Sequence, residues 1–174
     1  VLNGSGGPYK VFTLFMKALR AQAEPPPHTT GPRSLSDSPK PASDDIDDWG
    51  LHPTKPDWSK GFLGQPGEAG ASAALNVFIS GALKSYATDR DRPDRPGTSR
   101  LSPHLHYGEI SPWQVWRAVY EAASAGKVPP AQAEKLTSEL IWRDFSAHLL
   151  HHFPTLPDPA FRPDYDALAW RHDA

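Results

Sequence analysis

The sequence predicts an all-α protein, on three observations. Apolar residues recur at helical spacing from Ala71 to Leu83 and again from Leu136 to Leu149. The pairs Ser102-Pro103 and Ser111-Pro112 put a hydroxyl cap ahead of a proline, the order in which helices start. No stretch alternates Val, Ile or Thr with polar residues as a half-buried strand does.

Length and composition bound the rest. The 174 residues suit one domain. Twenty prolines, thirteen glycines and a hydrophobic content of 38% imply that part of the chain stays outside the core. The absence of cysteine excludes a disulfide scaffold, a thiolate zinc site and an iron–sulfur cluster, and it favours a reducing compartment. No apolar run reaches the roughly 18 residues of a membrane span, and no secretory signal is visible. The expectation is a cytoplasmic protein without a membrane partner. A net charge of −2 argues against a histone-like binder of nucleic acid, while leaving a local basic patch open.

The elements follow in order. Residues 9–22 carry Val11, Phe12, Phe15, Met16 and Leu19 at three- and four-residue spacings, a short helix that needs a partner. Residues 23–60 hold eight prolines from Pro25 to Pro56, scattered serines, and an acidic cluster at Asp44, Asp45, Asp47 and Asp48. They read as a solvated acidic linker. Trp49, Leu51 and Trp58 are expected to tack its far end onto the domain. Pro66-Gly67-Glu68 opens a helix whose stripe of Ala71, Ala74, Leu75, Phe78, Ile79, Ala82 and Leu83 extends to Tyr86. The Asp89–Gly97 stretch is too rich in Arg-Asp-Pro to continue it. A short helix then starts with Ser102 as its hydroxyl cap and stops at Gly108. The next starts at Ser111-Pro112, where Gln114 completes a capping box. It presents Val115, Trp116 and Val119 inward and stops near Gly126. The longest runs from Pro129-Pro130 to about His152. Leu136, Leu140, Ile141, Phe145 and Leu149 wrap much of it, so it is buried on several sides. The chain ends Pro- and Asp-rich, with Leu168 and Trp170 as a short apolar patch.

Three groups of residues carry possible chemistry. Thr98-Ser99-Arg100-Leu101-Ser102 brings hydroxyls, a guanidinium and helix-start N–H groups together, a donor set suited to phosphate or pyrophosphate. Ordinary capping explains the same hydroxyls. On the longest helix, Glu139, Trp142, Arg143 and Ser146 fall on one face at 100° per residue. A Glu139–Arg143 pair at i,i+4 beside a core Trp is one reading. A wall of a polar ligand pocket, with Trp142 as a stacking surface for a base, is the other. Periodicity does not choose between them. His148 and His152 have metal-compatible spacing, but no third ligand accompanies them and no metal site is expected. Neither a dinucleotide fingerprint, a P-loop nor a nucleophile elbow is present.

The run from Gly97 through Thr98-Ser99-Arg100-Leu101-Ser102-Pro103 and His104-Leu105-His106-Tyr107-Gly108-Glu109-Ile110 to Ser111-Pro112 closely resembles the flavin-domain signature of DNA photolyases and cryptochromes. Glu139-Leu140-Ile141-Trp142-Arg143-Asp144-Phe145 resembles the family's second signature. Pro8-Tyr9-Lys10-Val11-Phe12-Thr13 looks like the end of the family's antenna domain. The helix to Tyr86, Phe161-Arg162-Pro163 and Trp170 also fit. Asp144 stands where many members carry Glu, and Leu14 and Met16 replace the usual Pro and Trp.

The resemblance is strongest to bacterial cyclobutane-pyrimidine-dimer photolyases, and it implies a division of the chain. Residues 1–22 end an antenna domain, 23–60 link it, and 61–174 begin a helical FAD-binding domain. It implies that Tyr86 contacts FAD and that Thr98, Ser99, Arg100, Leu101 and Ser102 hold its phosphates and neighbouring groups. Arg143 sits beside the flavin, and Glu139 and Trp142 also face it. Glu139 and Trp142 are further implied as the catalytic, DNA-contacting pair: Glu139 hydrogen-bonds the flipped pyrimidine dimer and Trp142 stacks on it. The implied chemistry is repair of UV-damaged DNA by one electron from excited reduced FAD, which needs neither a metal nor a general acid–base pair.

Val1 in place of Met, together with the resemblance, implies a fragment. An antenna domain with a folate or deazaflavin chromophore is expected before it, and the rest of the flavin pocket after it. The full-length protein is expected to be a monomer, and the isolated piece inactive. The basic DNA-binding face is expected mostly beyond residue 174, because Asp89, Asp91 and Asp94 dilute Arg90, Arg92, Arg95 and Arg100. Three alternatives remain open: a blue-light signalling cryptochrome, a (6-4) photoproduct lyase, and a cofactor-free helical interaction module.

Overall fold

The computed structural model describes residues 1–22, 31, 33, 34, 36, 39, 41–62, 64–158 and 160–168. Six helices organise them: α1 (Phe12–Gln22), α2 (Glu68–Ser80), α3 (Tyr86–Asp89), α4 (Ser102–His106), α5 (Pro112–Ser124) and α6 (Pro130–His152). Among the described residues no strand forms, and the extended contact is limited to an antiparallel bridge between Leu2 and Pro8.

Helix α6 is the axis. It packs against α1, α3 and α5 and against a 3₁₀ turn at Ala82–Ser85. Its Ala133, Leu136 and Leu140 enter a core with Leu75, Phe78, Leu83, Val115 and Val119. One step round the helix, Ile141 and Phe145 meet Phe15 of α1 in a second cluster. The apolar residues that wrap the α6 sequence therefore serve two separate neighbours, which is why its pattern has no single polar side.

Several ends follow local chemistry. The Ser111 hydroxyl accepts from the Gln114 N–H at 3.1 Å and the Gln114 side-chain oxygen accepts from the Ser111 N–H at 2.7 Å, closing the expected capping box. Gly108 and Gly126 take φ of 73° and 69°, so the stops after α4 and α5 use the left-handed region that glycine enters without a Cβ clash.

Three expectations need correction. The stripe from Ala71 to Tyr86 is not one helix: the backbone breaks at Gly81 (φ −116°, ψ −99°), yet Leu83 and Tyr86 remain buried on the same core. Ser102 is not the cap of α4. It lies within the first turn, Leu101 holds the cap position without a side-chain bond, and the nearby hydroxyl acceptor is Ser99, which takes the Leu101 N–H at 3.3 Å. Trp49, Leu51 and Trp58 do not tack the linker down; each is 59–70% exposed. None of them packs against either hydrophobic cluster. Leu168 is also exposed. Of the linker assigned to 23–60, residues 23–30, 32, 35, 37, 38 and 40 lie outside the described residues, as does Trp170.

Candidate flavin and lesion site

Glu139, Trp142 and Arg143 leave α6 close together, and each reaches a different neighbour. Glu139 is half-buried. Its carboxylate accepts from Arg90, at the end of α3, and pairs with Lys135 at 3.2 Å one turn back along α6. The expected Glu139–Arg143 pair is absent, because Arg143 turns instead to α4, where it donates to the Leu105 carbonyl at 3.3 Å. Trp142 turns to α1 and stacks on Phe12, with ring centroids 3.7 Å apart and planes within 7°. Ser146 donates back to the Trp142 carbonyl and remains exposed.

Arg90 joins Glu139 to Tyr86. Its guanidinium lies 5.6 Å from the Tyr86 ring centroid, within cation–π range. Burial raises the Tyr86 hydroxyl pKa, partly offset by the Arg90 charge. Burial is the largest single influence and works against the Arg90 charge, but the Glu139 hydrogen bond together with the fields of Tyr86, Glu139 and Asp91 outweighs it and holds the guanidinium protonated more firmly than usual. Gln132 of α6 accepts the Ala87 N–H at 2.6 Å and fixes α3 against α6 from the other side.

The Thr98–Ser102 segment is set by Gly97. This glycine is buried, and a Cβ there would lie 2.3 Å from the Asp89 carbonyl oxygen, so only glycine lets the segment pass so close to α3. Arg100 takes φ 54°; among the described non-glycine residues no other enters this region. Holding it there costs about 1–3 kcal/mol. Thr98, Arg100 and Ser102 are exposed, Ser99 is half-buried and Leu101 is buried in the core. Among the described residues, none supplies a hydrogen bond or ion pair to the Thr98, Arg100 or Ser102 side chains. Two hydroxyls and a guanidinium without internal partners are a donor set that fits the phosphates of a dinucleotide.

His104, His148 and His152 have structural partners. His104 is buried and hydrogen-bonds Glu109 through Nδ1. That bond, with a second from the Gly67 N–H, holds the Glu109 carboxyl below the usual carboxylate range. His148 accepts the Tyr9 N–H at 3.2 Å and meets His152 edge-to-face. Arginines of the connecting loop are largely compensated: Arg92 pairs with Asp94 at 2.7 Å and Arg95 with Asp89 at 3.4 Å.

Sequence reasoning missed Arg90 as the partner of Glu139 and Phe12 as the partner of Trp142. The spacing Tyr86-x-x-x-Arg90 was a signal for the cation–π contact, since i,i+4 residues share a helix face. Nothing in the α6 sequence pointed to either long-range partner.

Comparison with known proteins gives this arrangement a context. A deoxyribodipyrimidine photo-lyase of Agrobacterium fabrum is 44% identical over 173 residues, which is 97% of this chain and 36% of that protein. One from Thermus thermophilus is 37% identical over 165 residues, 95% of this chain and 35% of that protein. The structure superposes on a bacterial class III photolyase from Agrobacterium tumefaciens with a TM-score of 0.90 at 43% identity, covering 99% of this chain and 36% of that one. No protein-family model matches the chain.

The helices are those of a photolyase helical domain. The chain belongs to the DNA photolyase and cryptochrome family, and it spans about a third of the length of the curated relatives it matches.

Proposed function

We propose that this chain is part of a light-driven DNA lyase that opens cyclobutane pyrimidine dimers, with FAD as its cofactor and UV-damaged DNA as its partner. The observation that carries this reading is that the elements on either side of the Thr98–Ser102 segment both bond to the Glu139–Arg143 stretch of α6. Arg90 reaches from α3 to Glu139, and Arg143 reaches from α6 to α4, directly after the Thr98–Ser102 segment.

In this reading Thr98, Ser99, Arg100 and Ser102 hold the FAD phosphates by hydroxyl and guanidinium donors. Leu101, buried, fixes their backbone, and Tyr86 and Arg143 border the flavin. When bound and reduced, the flavin supplies one electron on excitation by light. Glu139 presents a carboxylate that accepts from a pyrimidine N–H, and Trp142 offers a partly exposed indole on which the flipped pyrimidine pair stacks. Residues 1–22, 23–60 and 61–174 are then the end of an antenna domain, a linker and the start of the FAD-binding domain. The isolated chain presents one wall of the pocket and is expected neither to retain flavin nor to repair DNA. Exposed Val11, Leu14, Val77, Tyr107 and Leu150 leave apolar surface that the rest of a longer protein would cover.

The test is an absorption spectrum of the intact protein and of residues 1–174, each before and after blue light, followed by a repair assay on dimer-containing oligonucleotide. Flavin bands and light-dependent dimer cleavage in the intact protein are expected, with a colourless short chain. Flavin without turnover of either dimer or (6-4) lesion would replace the lyase by a light sensor. A colourless intact protein would remove the cofactor altogether.

A further inference from the structure

We propose that Phe12 is a positioning residue for Trp142, fixing the plane on which a flipped pyrimidine dimer stacks. The inference rests on the reading of Trp142 given above, and it adds a residue from a helix outside the 61–174 region. The two rings overlap face to face at 3.7 Å and 7°. Phe145 meets both edge-on, at 5.8 Å from Phe12 and 5.7 Å from Trp142. Among the described residues no other ring stacks on Trp142, and the residue is 43% exposed.

An indole on an exposed helix face ordinarily exchanges between rotamers, and a ligand that stacks on it must halt that exchange. Here one face is already covered, which halts it before any ligand arrives. Phe12 itself is held from two directions. Phe15, three residues on, is buried with Ile141 and Phe145. At the far end of α1, Arg20 bonds Glu134 and Ser138 of α6. The register of α1 on α6 therefore sets the angle of the Trp142 ring.

The experiment uses the intact protein, a single-stranded oligonucleotide bearing one thymine cyclobutane dimer, and its undamaged counterpart. Affinities for both are measured for wild type, Phe12→Leu, Phe12→Tyr, Trp142→Ala and the Phe12→Leu/Trp142→Ala double variant. Flavin content and thermal midpoint report folding. Phe12→Leu is expected to lose about 3- to 10-fold in dimer-over-undamaged preference. Phe12→Tyr, which keeps the ring, should stay within about twofold of wild type, and the double variant should match Trp142→Ala alone. Phe12→Leu with unchanged preference, while Trp142→Ala loses it, overturns the role of Phe12 and leaves that of Trp142 standing. Equal losses on both oligonucleotides, or additive losses in the double variant, make Phe12 merely structural and overturn it too. Unchanged preference in Trp142→Ala overturns both readings together.

Discussion

Glu139 is clamped by Arg90, which comes from α3, and not by Arg143, which stands one turn along the same helix. Both charges are about three-quarters removed from solvent, with side chains 24% and 25% exposed. Lys135, the second cation on Glu139, is 42% exposed. A charge-assisted bond shielded to this degree contributes about 1–2 kcal/mol, and an exposed i,i+4 pair a few tenths. Arg90→Gln should therefore destabilise by about 1–2 kcal/mol in urea unfolding and Lys135→Gln by less than about 0.5 kcal/mol. Equal losses from the two would show that the Arg90 contact does not persist in solution.

Gly97 gives the sharpest steric prediction. A methyl at this position would meet the Asp89 carbonyl oxygen at 2.3 Å and its carbon at 2.5 Å, backbone atoms that no rotamer can move. Gly97→Ala should cost about 2–3 kcal/mol and shift the Thr98–Ser102 segment away from α3. If that segment holds FAD, flavin content should fall with stability. Gly64→Ala is the control, since nothing lies within 4 Å of its added carbon. A Gly97→Ala protein as stable as the Gly64→Ala protein contradicts the close approach.

The capping box predicts a smaller and more local loss. Removing the Ser111 hydroxyl leaves the Gln114 N–H without its acceptor at the exposed start of α5. Ser111→Ala should cost about 1 kcal/mol and Ser111→Asp almost nothing, because a carboxylate caps as well and favours the helix start. Denaturant midpoints of the two variants provide the check. Equal destabilisation by both would mean that the hydroxyl contributes by packing rather than by capping.

What was legible in the sequence was local. The start of α5 and the stops at Gly108 and Gly126 each depend on residues within four positions of one another. The apolar pattern of α6 predicted burial on several sides because two different neighbours both need apolar surface from it. The break at Gly81 was not legible: the stripe continues through it, and a 3₁₀ turn restores the same face to the core. Nor were exposed Trp49, Leu51 and Trp58, since apolar identity states a preference for burial without supplying a partner. At the site, the shared face of Glu139, Trp142 and Arg143 follows from helix geometry. Which neighbour each would reach depends on α1, α3 and α4, and no spacing within α6 records that.

His148 makes stability depend on pH in a direction set chiefly by its burial. The Tyr9 N–H donates to Nε2, so the ring must be unprotonated there for the contact to form. Burial lowers the His148 pKa from the ordinary 6.5, and the neighbouring His152 acts in the same direction. The folded protein therefore binds this proton less readily than the unfolded chain. The corresponding stability is fully present above pH 6.5 and is lost as pH falls through the depressed folded value. His148→Gln keeps a carbonyl acceptor for Tyr9 and removes the titration. The thermal midpoint of wild type should drop relative to that of His148→Gln as pH is lowered from 7.5 to 5, roughly the span over which a histidine titrates. A difference between the two proteins that stays constant across this range would show that His148 titrates like an exposed histidine and that its bond to Tyr9 does not tie the N-terminal segment to α6.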